Sequence, residues 1–119
     1  MKVLTEVSQQ KVIYLLKAQL EASYRRFETA HEDVLREMEI GIGAGFHAAI
    51  GMINKSVEDD GRFTEEHLDR IRSVADFEES KIKRVEDADD NTRIFWRHEV
   101  ATMMTACVLI EGHMTEEES

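Results

Sequence analysis

The sequence predicts an all-α protein, an elongated bundle of three to four helices that is completed by dimerisation. The 119 residues contain no proline, the residue that breaks helices most strongly. Apolar residues recur at intervals of three and four along most of the chain, which is the spacing of one helix face. The length fits a single domain, residues 1–119, that is large enough to bury a core.

The first helix is predicted to begin near Thr5 or Ser8, either of which can cap it, and to extend to about Met38. Its apolar stripe has nearly heptad spacing and consists of Ile13, Leu16, Leu20, Tyr24, Phe27, His31, Val34 and Met38. Some thirty helical residues span roughly 45 to 50 Å, which exceeds the diameter of a compact domain of this size. We therefore expect either a break in this helix or an elongated molecule that buries further surface in a partner.

The glycine-rich segment at residues 40–53 is the centre of the predicted fold. We expect a buried helix at residues 42–56 with a frayed or kinked start. Its large side chains lie on one face and are Ile42, Phe46, Ala49, Ile50, Ile53 and Val57. A second stripe of mostly small residues consists of Gly41, Gly45, Ala48 and Met52. Such a stripe lets another helix approach closely.

A third helix is predicted after the turn at residues 58–61, with Thr64 as its cap. Its inner face consists of Leu68, Ile71, Ala75, Ile82 and Val85, widened by Val74 and Phe77. Neither glycine nor proline occurs from residue 63 to residue 111, so residues 64–111 can form one helix or two. We favour a break at residues 87–91, because aspartate and asparagine compete with helical backbone hydrogen bonds. Asp90 or Asn91 would then cap the next helix.

The last helix, residues 92–111, is predicted to be apolar on two faces. One stripe consists of Trp96, Val100, Met103, Cys107 and Ile110, and the other of Ile94, Ala101, Met104 and Val108. A helix of this kind is either central to a bundle or shared with a second subunit, which favours a homodimer. Gly112 ends the helix, and residues 112–119 are predicted to be a disordered tail.

Glu28 and His31 form the only Glu-x-x-His element of the chain. In di-iron bundle proteins this spacing places two metal ligands on one helix face, and Glu32 or carboxylates from the third helix would have to complete the site. The alternative is that His31 fills an inward position between Phe27 and Val34. We favour the inward position, because a di-iron site needs a second copy of the element. No cofactor is predicted.

Three residues of the acidic run match the start of a calcium-binding loop, namely Asp87, Asp89 and Asn91. The match fails further on, because Thr92 stands where the loop requires glycine and His98 where it requires glutamate. A solvated helix end is therefore the better interpretation.

Charge and cysteine usage limit the classes of partner and the compartment. The formal net charge is −10, which disfavours nucleic acid because phosphates require a basic surface. No apolar run reaches the roughly 20 residues of a membrane span. The start of the chain lacks the features of a secretory signal, and Cys107 has no second cysteine for an internal disulfide. These features predict a cytoplasmic protein.

Two classes of function are consistent with this pattern. The first is a small acidic interaction or regulatory protein that binds or inhibits another protein through its helical surfaces and is not an enzyme. The second is a metal-dependent helical-bundle enzyme that uses Glu28 and His31 with further carboxylates. We favour the first, because the sequence contains no complete catalytic set and no cofactor-binding loop.

Overall fold

Four helices and a small sheet make up the protein in the computed structural model, which describes residues 1–84 and 88–117. The helices in this part of the chain are α1 (Glu6–Thr29), α2 (Asp33–Asp60), α3 (Glu65–Arg84) and α4 (Asp90–Gly112). Three short strands, β1 (Lys2–Leu4), β2 (Phe63–Thr64) and β3 (Thr115–Glu116), form an antiparallel sheet in the order β2-β1-β3. The predicted predominance of helix is confirmed, and the sheet is an addition to it.

The molecule is elongated. Its principal extents are 51 × 32 × 22 Å and its radius of gyration is 15.4 Å, compared with about 13.5 Å for a compact chain of this length. The elongated shape predicted from the sequence is therefore confirmed.

The first helix ends at Thr29, not near Met38. Ala30 takes an extended backbone conformation and ends α1, and α2 begins at Asp33. The reversal lets α2 pack antiparallel to α1, and the Ser23 hydroxyl joins the two helices by donating a hydrogen bond to the backbone carbonyl of Glu39 at 2.8 Å. The first helix is therefore broken, and the molecule is elongated all the same. At the other end Thr5 is the cap, since its side chain accepts a hydrogen bond from the backbone N–H of Ser8.

The predicted register of α1 is also wrong by one residue over part of its length. Its buried residues are Val12, Leu16 and Ser23, whereas the side chain of Tyr24 is 67% exposed. The small side chain of Ser23 allows α1 to approach α2 closely, which the bulky ring of Tyr24 would prevent.

Helix α2 runs without a break through the glycine-rich segment, so the predicted frayed start is wrong. The glycines allow contact with α4. A Cβ atom added at Gly45 would lie 2.6 Å from Cβ of Thr102 and 2.7 Å from the carbonyl oxygen of Glu99, and one added at Gly41 would collide with the carbonyl oxygen of Phe95. Helices α2 and α4 run parallel, because Gly41 faces Phe95 and Gly45, four residues further along α2, faces Glu99 and Thr102. The predicted close approach along this stripe is confirmed.

The core is formed where the four helices meet. Its main buried side chains are Leu16 from α1, Phe46, Ala49, Ile50 and Ile53 from α2, Leu68, Ile71 and Ala75 from α3, and Val100, Met103, Cys107 and Ile110 from α4. These agree with the predicted inner faces of α2, α3 and α4. Two residues that were predicted to widen the inner face of α3 are not buried, since Val74 is 39% and Phe77 60% exposed.

Helices α3 and α4 are separate, as the preferred interpretation of residues 64–111 requires. The cap of α4 is Asp89, one residue earlier than expected, and its Oδ1 accepts a hydrogen bond from the backbone N–H of Thr92 at 2.7 Å. Residues 85–87, which include Val85 of the predicted inner face and Asp87 of the calcium-like pattern, lie outside the described residues.

The sheet ties the two ends of the chain together. Val3 of β1 pairs with Thr64 on one side and with Thr115 on the other, and the backbone N–H of Glu117 donates to the carbonyl of Met1 at 2.9 Å. This part of the tail, expected to be disordered, is therefore ordered by pairing with β1. Residues 118–119 lie outside the described part of the chain.

Candidate functional site

The structure does not place Glu28 and His31 on one helix face. Glu28 lies in the last turn of α1, and His31 lies beyond the helix end in the connection to α2, with both residues exposed. The exposed position also overturns the preferred interpretation, in which His31 points inward between Phe27 and Val34. Glu32 is exposed as well. In residues 1–84 and 88–117, no group of three or more His, Cys, Asp or Glu side chains is arranged to hold a metal ion.

His67 is buried and forms a polar cluster with Thr64 and the half-exposed Asp60, which was not predicted from the sequence. The backbone N–H of Thr64 donates to Nδ1 of His67 at 2.9 Å, so the neutral ring carries its proton on Nε2, which donates to Oδ2 of Asp60 at 2.6 Å. This hydrogen bond from His67 is the main reason that the pKa of Asp60 lies below its ordinary value. The Thr-x-x-His spacing at the start of α3 is the signal for it, because it matches the reach of a capping side chain. The cluster joins the end of α2 to the start of α3.

Cys107 is a core residue and not a reactive thiol. It is buried on α4, and this burial raises the pKa of its thiol to about 11. The thiolate is the nucleophilic form of cysteine, so very little of it is present near neutral pH. Cys107 was predicted to lie in an apolar stripe of the last helix, and its burial confirms this position.

Two of the remaining histidines are engaged by their own helix. Nδ1 of His98 lies 2.8 Å from the carbonyl oxygen of Ile94, and Nδ1 of His113 lies 2.9 Å from that of Leu109. These contacts orient the rings along α4. His47 differs, because it is exposed on α2 beside a groove.

A strongly apolar groove lies beside His47 between α1 and α2, and we call it the α1–α2 groove. It has a volume of about 460 Å³. Its lining residues are Leu20, Ser23, Tyr24 and Phe27 from α1, and Glu39, Ile40, Gly43, Ala44 and His47 from α2. The groove exists because Ser23 and Gly43 are small where the two helices touch, while the larger side chains stand on either side.

Glu39 is the charged residue of this groove, and its two carboxylate oxygens differ. Oε1 accepts a hydrogen bond from Nε of Arg26 at 2.7 Å. Oε2 is buried and has no hydrogen-bond partner among the protein atoms, and the side chain as a whole is 13% exposed. Glu39 was not among the candidate residues predicted from the sequence, although it is the last charged residue before the glycine-rich segment.

A second apolar surface lies on the outside of α4. Ala101, Met104 and Val108, which we call the α4 outer stripe, are exposed, with Val108 71% and Met104 38% accessible. They belong to the second apolar face predicted for this helix. Met104 and Ala101 also line a groove of about 380 Å³ between α3 and α4.

Comparison of the chain with protein-family models, with curated proteins and with solved structures gave no match. Among the described residues, none of the helices has both the length and the apolar character needed to cross a bilayer.

Proposed function

We propose that this protein is a small acidic cytoplasmic protein that binds or inhibits another protein through its helical surfaces, without catalytic activity of its own, and that it forms a homodimer. The observation that carries the proposal is the α4 outer stripe. Single exposed apolar side chains are common on protein surfaces, but Met104 and Val108 are aligned on one helix, and Met104 lines the groove between α3 and α4. Aligned apolar residues of this kind are typical of a docking face.

The charges beside the stripe also favour protein recognition. The groove between α3 and α4 is lined by Glu79, Lys83 and Arg97 in addition to its apolar residues. A polar rim of both signs around an apolar centre is the usual composition of a protein interface. With a net charge of −10, the whole chain is a poor match for nucleic acid. The buried Cys107 thiol is consistent with a reducing compartment.

A second copy of the chain is the first partner to test. The long, thin shape of the molecule gives it a large surface relative to its core, and covering the α4 outer stripe would remove apolar area from water at about 25 cal/mol per Å². Light scattering after size-exclusion chromatography at micromolar concentration tests this directly. We expect the mass of a dimer, and a monomer at all accessible concentrations would overturn this part of the proposal.

Variants of α4 test whether the stripe carries the interaction. Met104→Ser/Val108→Ser removes its two large side chains, and Thr105→Ser is a matched control at another exposed position of α4. Because all three positions are exposed, we expect stability to change by less than about 0.5 kcal/mol. The double variant should lose both self-association and any protein captured from a native extract, while the control keeps them. Equal behaviour of the two variants would contradict the proposal.

Elemental analysis tests the proposal that the protein has no catalytic metal. Stoichiometric iron, manganese or zinc in protein purified without chelators, lost in a His31→Ala variant, would contradict it. We expect the metal content of the variant and of the unaltered protein to be the same.

A further inference from the structure

The α4 outer stripe is flanked by two charged residues of opposite sign. Arg97 precedes Ala101, Met104 and Val108, and Glu111 follows them, at successive intervals of four, three, four and three residues. This is the spacing of a coiled-coil seam, and all of these side chains are exposed. One exposed face of α4 therefore carries a cation, an apolar centre and an anion, in that order.

The end of this face at Arg97 has a surplus of positive charge. Lys83 and Glu79 of α3 line the same groove as Arg97. Nζ of Lys83 lies 4.0 Å from Oε1 of Glu79, and the two side chains are 76% and 55% exposed. Since Glu79 already faces Lys83, the charge of Arg97 adds a second cation to a site with one acid.

The end of this face at Glu111 has a surplus of negative charge. Arg72 of α3 donates hydrogen bonds to both Glu111 and Asp69, so two acids share one cation. The side chain of Glu111 remains 48% exposed. A carboxylate has about four acceptor positions, and Glu111 can therefore accept from a further cation that approaches from outside.

We propose that two copies of the chain associate through antiparallel α4 outer stripes, with Arg97 of each copy facing Glu111 of the other. The proposal rests on the homodimer of the proposed function and specifies its interface. Met104 lies midway in sequence between Arg97 and Glu111. A twofold axis at Met104 therefore forms both charge pairs at once, each about 10 Å from the axis.

The apolar centre fits the same arrangement. The axis at Met104 brings Val108 of one copy beside Ala101 of the other, which places a large side chain against a small one. The flexible Met104 side chains fill the space between them. Parallel helices would instead place Arg97 against Arg97 and Glu111 against Glu111, and like charges across an interface are unfavourable. A uniformly acidic or basic partner would match only one end of the face.

Charge reversal tests the two pairs. Arg97→Glu places acids opposite each other at both ends of the interface, and Glu111→Arg places cations there. We expect each change to raise the dimer dissociation constant, measured by sedimentation equilibrium, by about tenfold or more. The double variant Arg97→Glu/Glu111→Arg restores opposite charges, and its dissociation constant should return to within about threefold of the unaltered value.

Net charge alone would give a different result. Arg97→Glu makes the chain more acidic and Glu111→Arg makes it less acidic, so repulsion between whole molecules would weaken the first dimer and strengthen the second. Arg25→Glu, at an exposed position of α1, is the matched control for Arg97→Glu and should leave the dissociation constant nearly unchanged. Tighter association of Glu111→Arg, or a double variant as weak as the single variants, would overturn the proposal.

Folding of the variants is checked by the double variant. Glu111→Arg removes an acceptor of Arg72, but this ion pair is exposed and such pairs contribute little to stability. Because the double variant carries both substitutions, its association shows that neither of them prevents folding.

Cross-linking tests the direction of the helices. Met104→Cys places one thiol from each copy at the twofold axis, and oxidised glutathione should link the two chains by a disulfide. In Arg97→Cys the two thiols would be about 20 Å apart, beyond the reach of a disulfide, so this variant should stay unlinked. The unaltered protein is the control, because its Cys107 is buried. Linking of both variants, or of neither, would overturn the proposal.

Sedimentation of the unaltered protein separates this proposal from the one on which it rests. A monomer at all accessible concentrations would overturn both. A dimer that is insensitive to the charges at positions 97 and 111 would overturn the antiparallel arrangement alone and leave the homodimer in place.

Discussion

The contact between α2 and α4 at Gly45 predicts a large effect from a single methyl group. In Gly45→Ala, the new Cβ would lie 2.6 Å from Cβ of Thr102 and 2.7 Å from the Glu99 carbonyl oxygen. Carbon atoms normally touch at about 3.5–4.0 Å, so the helices must separate by roughly 1 Å at this point. Neither neighbouring atom can swing aside, since one is a β-carbon and the other belongs to the backbone.

The magnitude follows from two opposing terms. Overpacking a well-packed core costs up to about 3 kcal/mol, and replacing glycine by alanine in a helix recovers about 1 kcal/mol. We therefore expect Gly45→Ala to lose about 2 kcal/mol of unfolding free energy. For a chain of this length that corresponds to a fall of roughly 8 °C in melting temperature.

Thermal unfolding followed by circular dichroism measures this effect, with Gly51→Ala as the control. Position 51 lies on the same helix but faces open space, so its alanine variant should melt at or above the temperature of the unaltered protein. The larger change Gly45→Leu should be more damaging than Gly45→Ala. A Gly45→Ala protein that is as stable as the unaltered one would show that α2 and α4 are not in close contact at this residue.

Three further predictions concern His67, Cys107 and Asp60. His67→Ala should cost about 2 kcal/mol in urea unfolding, because the Thr64 N–H loses its acceptor, whereas the exposed His31→Ala should have little effect; equal losses would contradict the cap. Burial raises the pKa of the Cys107 thiol to about 11. At pH 8, Cys107 of the folded protein should therefore react with a disulfide reagent on the order of 100-fold more slowly than Cys107 of the protein unfolded in urea. Similar rates in the two states would contradict its burial. The pKa of Asp60 is lowered, chiefly by the His67 hydrogen bond. The contribution of Asp60 to stability is therefore complete above its unfolded pKa of about 3.9 and is lost as pH falls through the lower folded value. Asp60→Asn should flatten this part of the acid-unfolding curve.

Periodicity predicted the parts of the fold that are governed by burial. The three- and four-residue spacing around Phe46, Ile71 and Met103 identified the inner faces of α2, α3 and α4, which are buried in the structure. The glycine stripe also indicated a close helix partner correctly. These features are local patterns whose cause, removal of apolar surface from water, acts on every helix in the same way.

The chain reversal at residues 30–32 could not be read from local sequence. The three residues are alanine, histidine and glutamate, and none of them is a strong turn former. The reversal is favoured by the packing that it permits, in which Ser23 meets Glu39 and Gly43 lies against α1. The strands were missed for a related reason, because elements of two or three residues carry no detectable alternation.

The groove depended on the same packing. Ser23 and Tyr24 are adjacent in α1, and the helical spacing alone does not decide which of them faces inward. The packing of α2 against α1 decides it, since the serine is buried and the tyrosine exposed. Glu39 became a candidate through its unpaired oxygen, which no sequence pattern reveals. The α4 outer stripe, in contrast, was visible as a second apolar face.

Helices α2 and α4 run parallel with their backbones in contact at Gly41 and Gly45, and the rest of the fold depends on this contact. It can be measured in a nuclear Overhauser spectrum of the isotope-labelled protein. We expect a strong cross-peak between the α-protons of Gly45 and the methyl group of Thr102, together with one between Gly41 and the β-protons of His98. If both cross-peaks are missing while the two helices are present, the arrangement described for this protein is contradicted.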